Sequence, residues 1–148
     1  MSVHGDLLEW ATAELVAAGI VAPGSVVRRG RPVWLKGDPD PLIVVSTGSR
    51  PETFAGQQTS AGAGKAVTLG FPVLVSYVSQ KGFQYIDPVV LADVRAAVRL
   101  AVLKLQPIDS VRLALYDPEP VVDMAGFAEG FDISPQLFVF HGNEIIPE

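Results

Sequence analysis

The sequence contains no cysteine, which excludes disulfides, thiolate metal sites, iron–sulfur clusters and cysteine nucleophiles together. Charged residues are few, 18 % of 148, and histidine occurs twice, at His4 and His141. No Lys or Arg follows Arg112. Long apolar runs are missing too. The strongest, Ala66 to Ser79, carries Gly70, Pro72 and two serines and is too short to cross a bilayer as a helix. The N-terminus, Met1-Ser-Val-His-Gly-Asp, has no basic leader segment, so the expectation is a chain with no membrane partner, made in the cytoplasm without export.

What is present is apolar. Hydrophobic residues make up 49 %, and the mean hydropathy of +0.34 is high for so small a soluble chain. That composition excludes general disorder and fits one domain over residues 1–148. The excess apolar surface is expected in contacts with other chains.

Charge is unevenly spread. Residues 1–112 hold all 11 basic residues against 9 acids, a net +2, whereas residues 113–148 hold 7 acids and no base, a net −7. A basic knot of Arg28, Arg29, Arg31 and Lys36 sits far upstream of acidic Asp117, Glu119, Asp123, Glu129 and Asp132. One reading is solvated sheet edges. The other is a head-to-tail interface in which the knot of one copy meets the acidic segment of the next, since unlike patches on different sides of a subunit generate rings or filaments. The knot lacks interleaved aromatics for stacking, and in an acidic protein it makes a poor nucleic-acid surface.

Periodicity gives the path of the chain. Asp6 can cap a helix over 6–18, in which Leu7, Leu8, Ala11, Leu15 and Ala18 recur at helical spacing before Gly19. Strands are expected at 26–29, 33–35 and 42–46. Residues 47–65, polar and glycine-rich, read as a long loop with Phe54 as its one large apolar side chain, flanked by Arg50 and Lys65. Leu69, Phe71, Val73, Val75 and Tyr77 alternate in a strand through Ser79, with Pro72 implying an edge position or a bulge. A short strand at 83–86 precedes Asp87-Pro88, which opens a helix over about 88–105. Leu91, Val94, Val98, Ala101 and Leu105 form its sheet-facing stripe, and Leu100 and Leu103 lie on the opposite side, where a second partner is needed. Strands at 111–116, 121–124 and 137–141 complete an α+β fold, a mainly antiparallel sheet packed by the two helices.

Chemistry is hard to find. Gly62-Ala-Gly-Lys65-Ala has Thr59 and Ala66 where a phosphate-binding loop needs glycine and a hydroxyl. Asp38 and Asp40, and likewise Asp117, Glu119 and Asp123, lack the spacing of a calcium loop and sit among turn prolines. No Gly-x-Ser-x-Gly elbow accompanies His141. No cofactor, metal or catalytic residue is expected. An alternative, a small α+β enzyme or ligand-binding domain, needs His141 beside Asp132 in a pocket.

The N-terminal helix leads to Pro41-Leu-Ile-Val-Val, the polar loop, Phe71-Pro-Val-Leu-Val-Ser-Tyr-Val, the helix from Val89, and a closing Gly130-Phe-Asp-Ile-Ser-Pro-Gln-Leu-Phe-Val-Phe. This order resembles the tail terminator (tail completion, minor tail protein U-like) family of long-tailed bacteriophages. The resemblance implies a non-enzymatic virion protein, assembled in the host cytoplasm, that forms a sixfold ring on the head-proximal end of the tail tube. Its partners would be further copies, the tail tube protein and the neck or head–tail connector proteins. It also implies that loop 47–65 contacts neighbours, with the knot at 28–36 and the acids at 117–132 as candidate contacts. A joining protein on the head side of the neck is the nearest alternative.

Overall fold

The computed structural model describes residues 2–48, 51–59, 65–80, 87–117, 119–123 and 129–146. Helix α1 (Val3–Ala18) is followed by β1 (Val26–Arg28), β2 (Leu42–Ser46), β3 (Thr53–Thr59) and β4 (Lys65–Ser79). Helix α2 (Pro88–Val102), β5 (Val111–Asp117) and β6 (Asp132–Ile146) complete the chain. The six strands form one mixed sheet in which β1 and β2 are parallel and all other pairs antiparallel, an α+β fold as the sequence indicated.

Its spine is the β4–β6 pair, in register without interruption from Lys65 opposite Ile146 to Ser79 opposite Asp132. Because side chains alternate along a strand, this register divides the spine into two faces. Phe71, Val73, Val75, Phe138 and Phe140 point to one face and are buried against Leu7, Ala11 and Leu15 of α1 and Val98, Ala101 and Val102 of α2. Each fully buried Leu, Val or Phe contributes about 1.5–3 kcal/mol of transfer free energy there. The other face is covered at one end only. There Leu42, Val44, Val78, Phe131 and Ile133 pack with Val33 and Trp34 of the β1–β2 connection.

Several expectations shift. Helix α1 starts at Val3, capped by Ser2, whose Oγ accepts the Gly5 N–H at 2.9 Å, so Asp6 lies inside it. His4, expected in a tail, is buried on the same stripe as Leu7, Ala11 and Leu15. Tertiary contacts there outweigh the weak helix propensity of Val3 and Gly5. Gly19 ends the helix with a left-handed φ of 67°, as expected. Helix α2 stops at Val102 rather than at 105, leaving Leu105 outside it. Residues 33–35 are not a strand but part of a parallel crossover, held by Leu35 N–H to Asp38 Oδ2 at 2.7 Å. From 121–124 the described residues give an isolated bridge at Asp123, and β6 begins at Asp132, well before 137. The strand expected at 83–86 lies outside the described residues.

The largest correction concerns 47–65. Residues 53–59 are a strand, paired antiparallel with 65–70, so the expected loop is mostly a β-hairpin. Strands β2 and β3 lie along the same edge of β4, with β2 against residues 74–78 and β3 against residues 65–70. Pro72 falls in the gap between them. In an antiparallel ladder the N and C=O of one residue point to the same edge. The Pro72 carbonyl points to His4, so its missing N–H is absent where no strand asks for one. Pro72 therefore sits in a central strand without a lost ladder bond, which neither an edge position nor a bulge explains.

Candidate functional site

Two groups of residues stood out in the sequence, and the structure brings part of each together within one chain. Arg31 Nη2 lies 3.9 Å from Glu129 Oε2, and Arg31, Asp123 and Glu129 border the same shallow depression beside Phe131 and Ile133. Arg31 of the knot is thus a neighbour of Asp123 and Glu129, whereas Arg28 on β1 and Asp117 on β5 stand at opposite edges of the sheet.

Arg29 is committed still more firmly. Its guanidinium grips Asp38 in bidentate fashion at 2.6 and 2.7 Å and donates to the Val33 carbonyl at 3.0 Å. Hydrogen bonding from Arg29 holds the Asp38 carboxyl down at about 2, helped by the Leu35 N–H and the guanidinium charge and opposed by burial. This clamp closes the β1–β2 crossover and uses up Asp38 as a possible cation ligand. Asp40 accepts from Ser79 Oγ at 2.9 Å. Arg28 is exposed, 3.9 Å from Glu9, and Lys36 is exposed in the crossover.

Of the acids, Asp132 is buried at the start of β6, and Asp117 Oδ1 accepts the Glu119 N–H in a turn at 3.1 Å. Asp123 donates its backbone N–H to the Ile133 carbonyl at 2.7 Å. Asp132 and His141 stand nine residues apart on an uninterrupted strand, about 30 Å, and on opposite faces. The His141–Asp132 pocket does not exist. Among the described residues no group of three or more His, Asp or Glu is placed to hold a metal ion, and no helix is long and apolar enough to cross a membrane.

Apolar exposure is concentrated elsewhere. Phe54 on β3 is 67 % exposed and Leu100 on α2 is 77 % exposed, while Leu103 just beyond the helix is partly open. Lys65 begins β4 at the far end of the hairpin, paired with Thr59 and Ile146, and Arg50 lies outside the described residues. Leu100 stands over a cleft between the helices that is lined by Ala17, Ala18, Ala97 and Lys104.

Sequence reasoning missed two features. The first is a bridge at His4, whose Nδ1 lies 2.6 Å from Glu52 Oε1 and whose Nε2 lies 2.7 Å from the Pro72 carbonyl. A carbonyl only accepts, so Nε2 donates to it, and the imidazole ties the start of the hairpin to α1. The i, i+3, i+7 and i+11 spacing of His4, Leu7, Ala11 and Leu15 signals its inward direction. The second is an open groove of about 540 Å³ on the face without helices. Gly70, Pro72 and Val139 form its floor, Thr53 and Leu115 its walls, and His141 closes one end. No sequence signal marks it, because it arises where the crossover that covers the rest of that face stops.

A scan against protein-family models gives no match to this chain, and a search of the curated proteins gives none either.

Proposed function

We propose that the chain is a virion structural protein of the tail-terminator type. Copies close into a ring, six in number as the family resemblance implies, on the head-proximal end of a tail tube, ending tube growth and joining tail to neck. The ring forms in the host cytoplasm and remains in the virion, with the tail tube and the neck or connector proteins as partners and no cofactor.

One observation carries this reading: strand β3 is an arm that, among the described residues, the subunit's own core does not use. Among the described residues no β3 side chain belongs to either core cluster, and β4 is the one element against which β3 packs extensively. Phe54 nevertheless sits on it, exposed. Contact with another chain would bury that ring. Leu100, Leu105 and Val89, exposed on or beside α2, offer a second apolar surface, and a ring subunit on a tube end needs more than one contact.

The test is to polymerise the tube protein of the same virion with and without this chain and to view the products by electron microscopy. Arrested tubes bearing a sixfold ring at one end are expected. Tubes that grow unaltered with bare ends would overturn the reading, and rings found instead on the portal would move it to the head side of the neck.

A further inference from the structure

The proposed ring leaves open which surfaces of neighbouring subunits meet, and the two faces of the hairpin end of the sheet answer that question. Phe54 pairs with Leu69, whose side chain packs toward the helix-covered core, so Phe54 points to the helix side of the sheet. Glu52 lies on the same side, since it reaches His4 of α1, and its carboxylate is half-exposed. The groove of Gly70, Pro72, Val139 and Leu115 opens on the opposite face. Arg112 is directed to that opposite face, because Val111 and Leu113 on either side of it pack into the helix-side core. It pairs with His141 at the end of the groove, and among the described residues it has no ion-pair partner.

One face thus carries an aromatic knob beside a carboxylate, and the other an apolar groove beside a guanidinium. Such complementary features on opposite faces of one sheet cannot satisfy each other within a chain. They can satisfy each other between copies, and because they are unlike, the contact is heterologous and repeats from copy to copy. Opposite charges beside an apolar anchor orient it and fix the register of docking.

We propose that Phe54 of one copy seats in the Pro72–Leu115–Val139 groove of the next, with Glu52 facing Arg112. This contact rests on the ring reading for its biological setting, but its geometry is independent of how many copies close the ring.

The absence of native cysteine makes the test direct. Phe54→Cys and Leu115→Cys are prepared as separate proteins, both at exposed positions, mixed at high concentration and oxidised with copper–phenanthroline. A disulfide requires the two Cα atoms to approach within about 7 Å. The expected result is a mixed dimer containing one of each variant, with little self-linked Phe54→Cys, and a ladder of linked species from the double variant. Mass spectrometry of the unmodified chain on its own separates the two ideas. Assembly of that chain without a mixed disulfide overturns the contact and leaves the ring. A mixed disulfide in a chain that forms open filaments supports the contact and overturns the ring. Predominant self-linked Phe54→Cys dimers overturn the contact in favour of a twofold arrangement, and absence of both assembly and linkage overturns contact and ring alike.

Discussion

His4 and Glu52 meet at 2.6 Å, joining the first turn of α1 to the residue that precedes β3. The contact spans 48 positions of sequence and fills the gap in the β4 edge that Pro72 leaves without a donor. A helix start and an arm are thereby coupled through one imidazole.

Removing that imidazole should loosen the arm before it unfolds the domain. His4→Ala leaves the Pro72 carbonyl and the Glu52 carboxylate without their partner, a cost of about 1–3 kcal/mol. Hydrogen exchange of the variant should be faster in 53–59 than in 137–140, where the β4–β6 core is untouched. Equal protection of β3 in variant and parent would show that His4 does not hold the arm.

The Arg29–Asp38 clamp makes a specific acid prediction. The folded carboxyl sits at about 2, below the ordinary 3.8 that the unfolded chain has. Its contribution is therefore complete above about pH 4 and is lost as the pH falls toward 2. Side chains that are 21 % and 15 % exposed leave some solvent screening, so the contribution is on the order of 1–2 kcal/mol. Asp38→Asn should lower stability near neutrality and flatten this part of the acid limb in urea titrations. An acid limb identical to that of the parent would remove the clamp from the stability of the crossover.

Arg31 should behave differently from Arg29 despite its proximity in sequence. Its 3.9 Å approach to Glu129 joins two side chains that are 72 % and 54 % exposed. Surface pairs of this kind are worth about 0–1 kcal/mol. Arg31→Glu should change the urea midpoint little and leave assembly intact, whereas Arg29→Ala should destabilise the fold. Loss of oligomers from Arg31→Glu alone would place Arg31 in an electrostatic seam between copies.

Gly142 is tightly enclosed under α1. A Cβ there would lie 3.0 Å from both Phe71 Cε2 and Val3 Cγ1 and 3.2 Å from Val111 Cγ2. Gly142→Ala should cost about 1–3 kcal/mol through overpacking, and Val3→Ala in the same chain should recover part of it. A neutral Gly142→Ala would mean that α1 can slide on the sheet.

The fold class was legible because β4 alternates cleanly and both helices carry apolar stripes with sound caps. Leu69 through Tyr77 define a face, and Gly19 and Asp87 mark helix limits. Strand β3 was not legible, since Gly56, Gln57, Gln58 and Thr59 carry no apolar alternation: among the described elements β3 packs extensively on β4 alone, and that pairing makes it a strand. The inward turn of Arg95 was hidden for a related reason. It occupies the sheet-facing stripe between Leu91 and Val98, donating to Ser134 Oγ at 2.8 Å and the Pro135 carbonyl at 3.0 Å, and its burial lowers its pKa. A charged residue in that stripe reads as exposed until its strand partners are known. The charge asymmetry was legible in the sequence, but the approach of Arg31 to Glu129 within one chain was not.

Native mass spectrometry of the unmodified chain over a concentration series tests the central claim of ring assembly most directly. Growth toward a species of six copies of 15.7 kDa, about 94 kDa, with slowed hydrogen exchange in 53–59 on assembly, is the predicted result. A stable dimer at every concentration, with exchange in 53–59 unaffected, would contradict it.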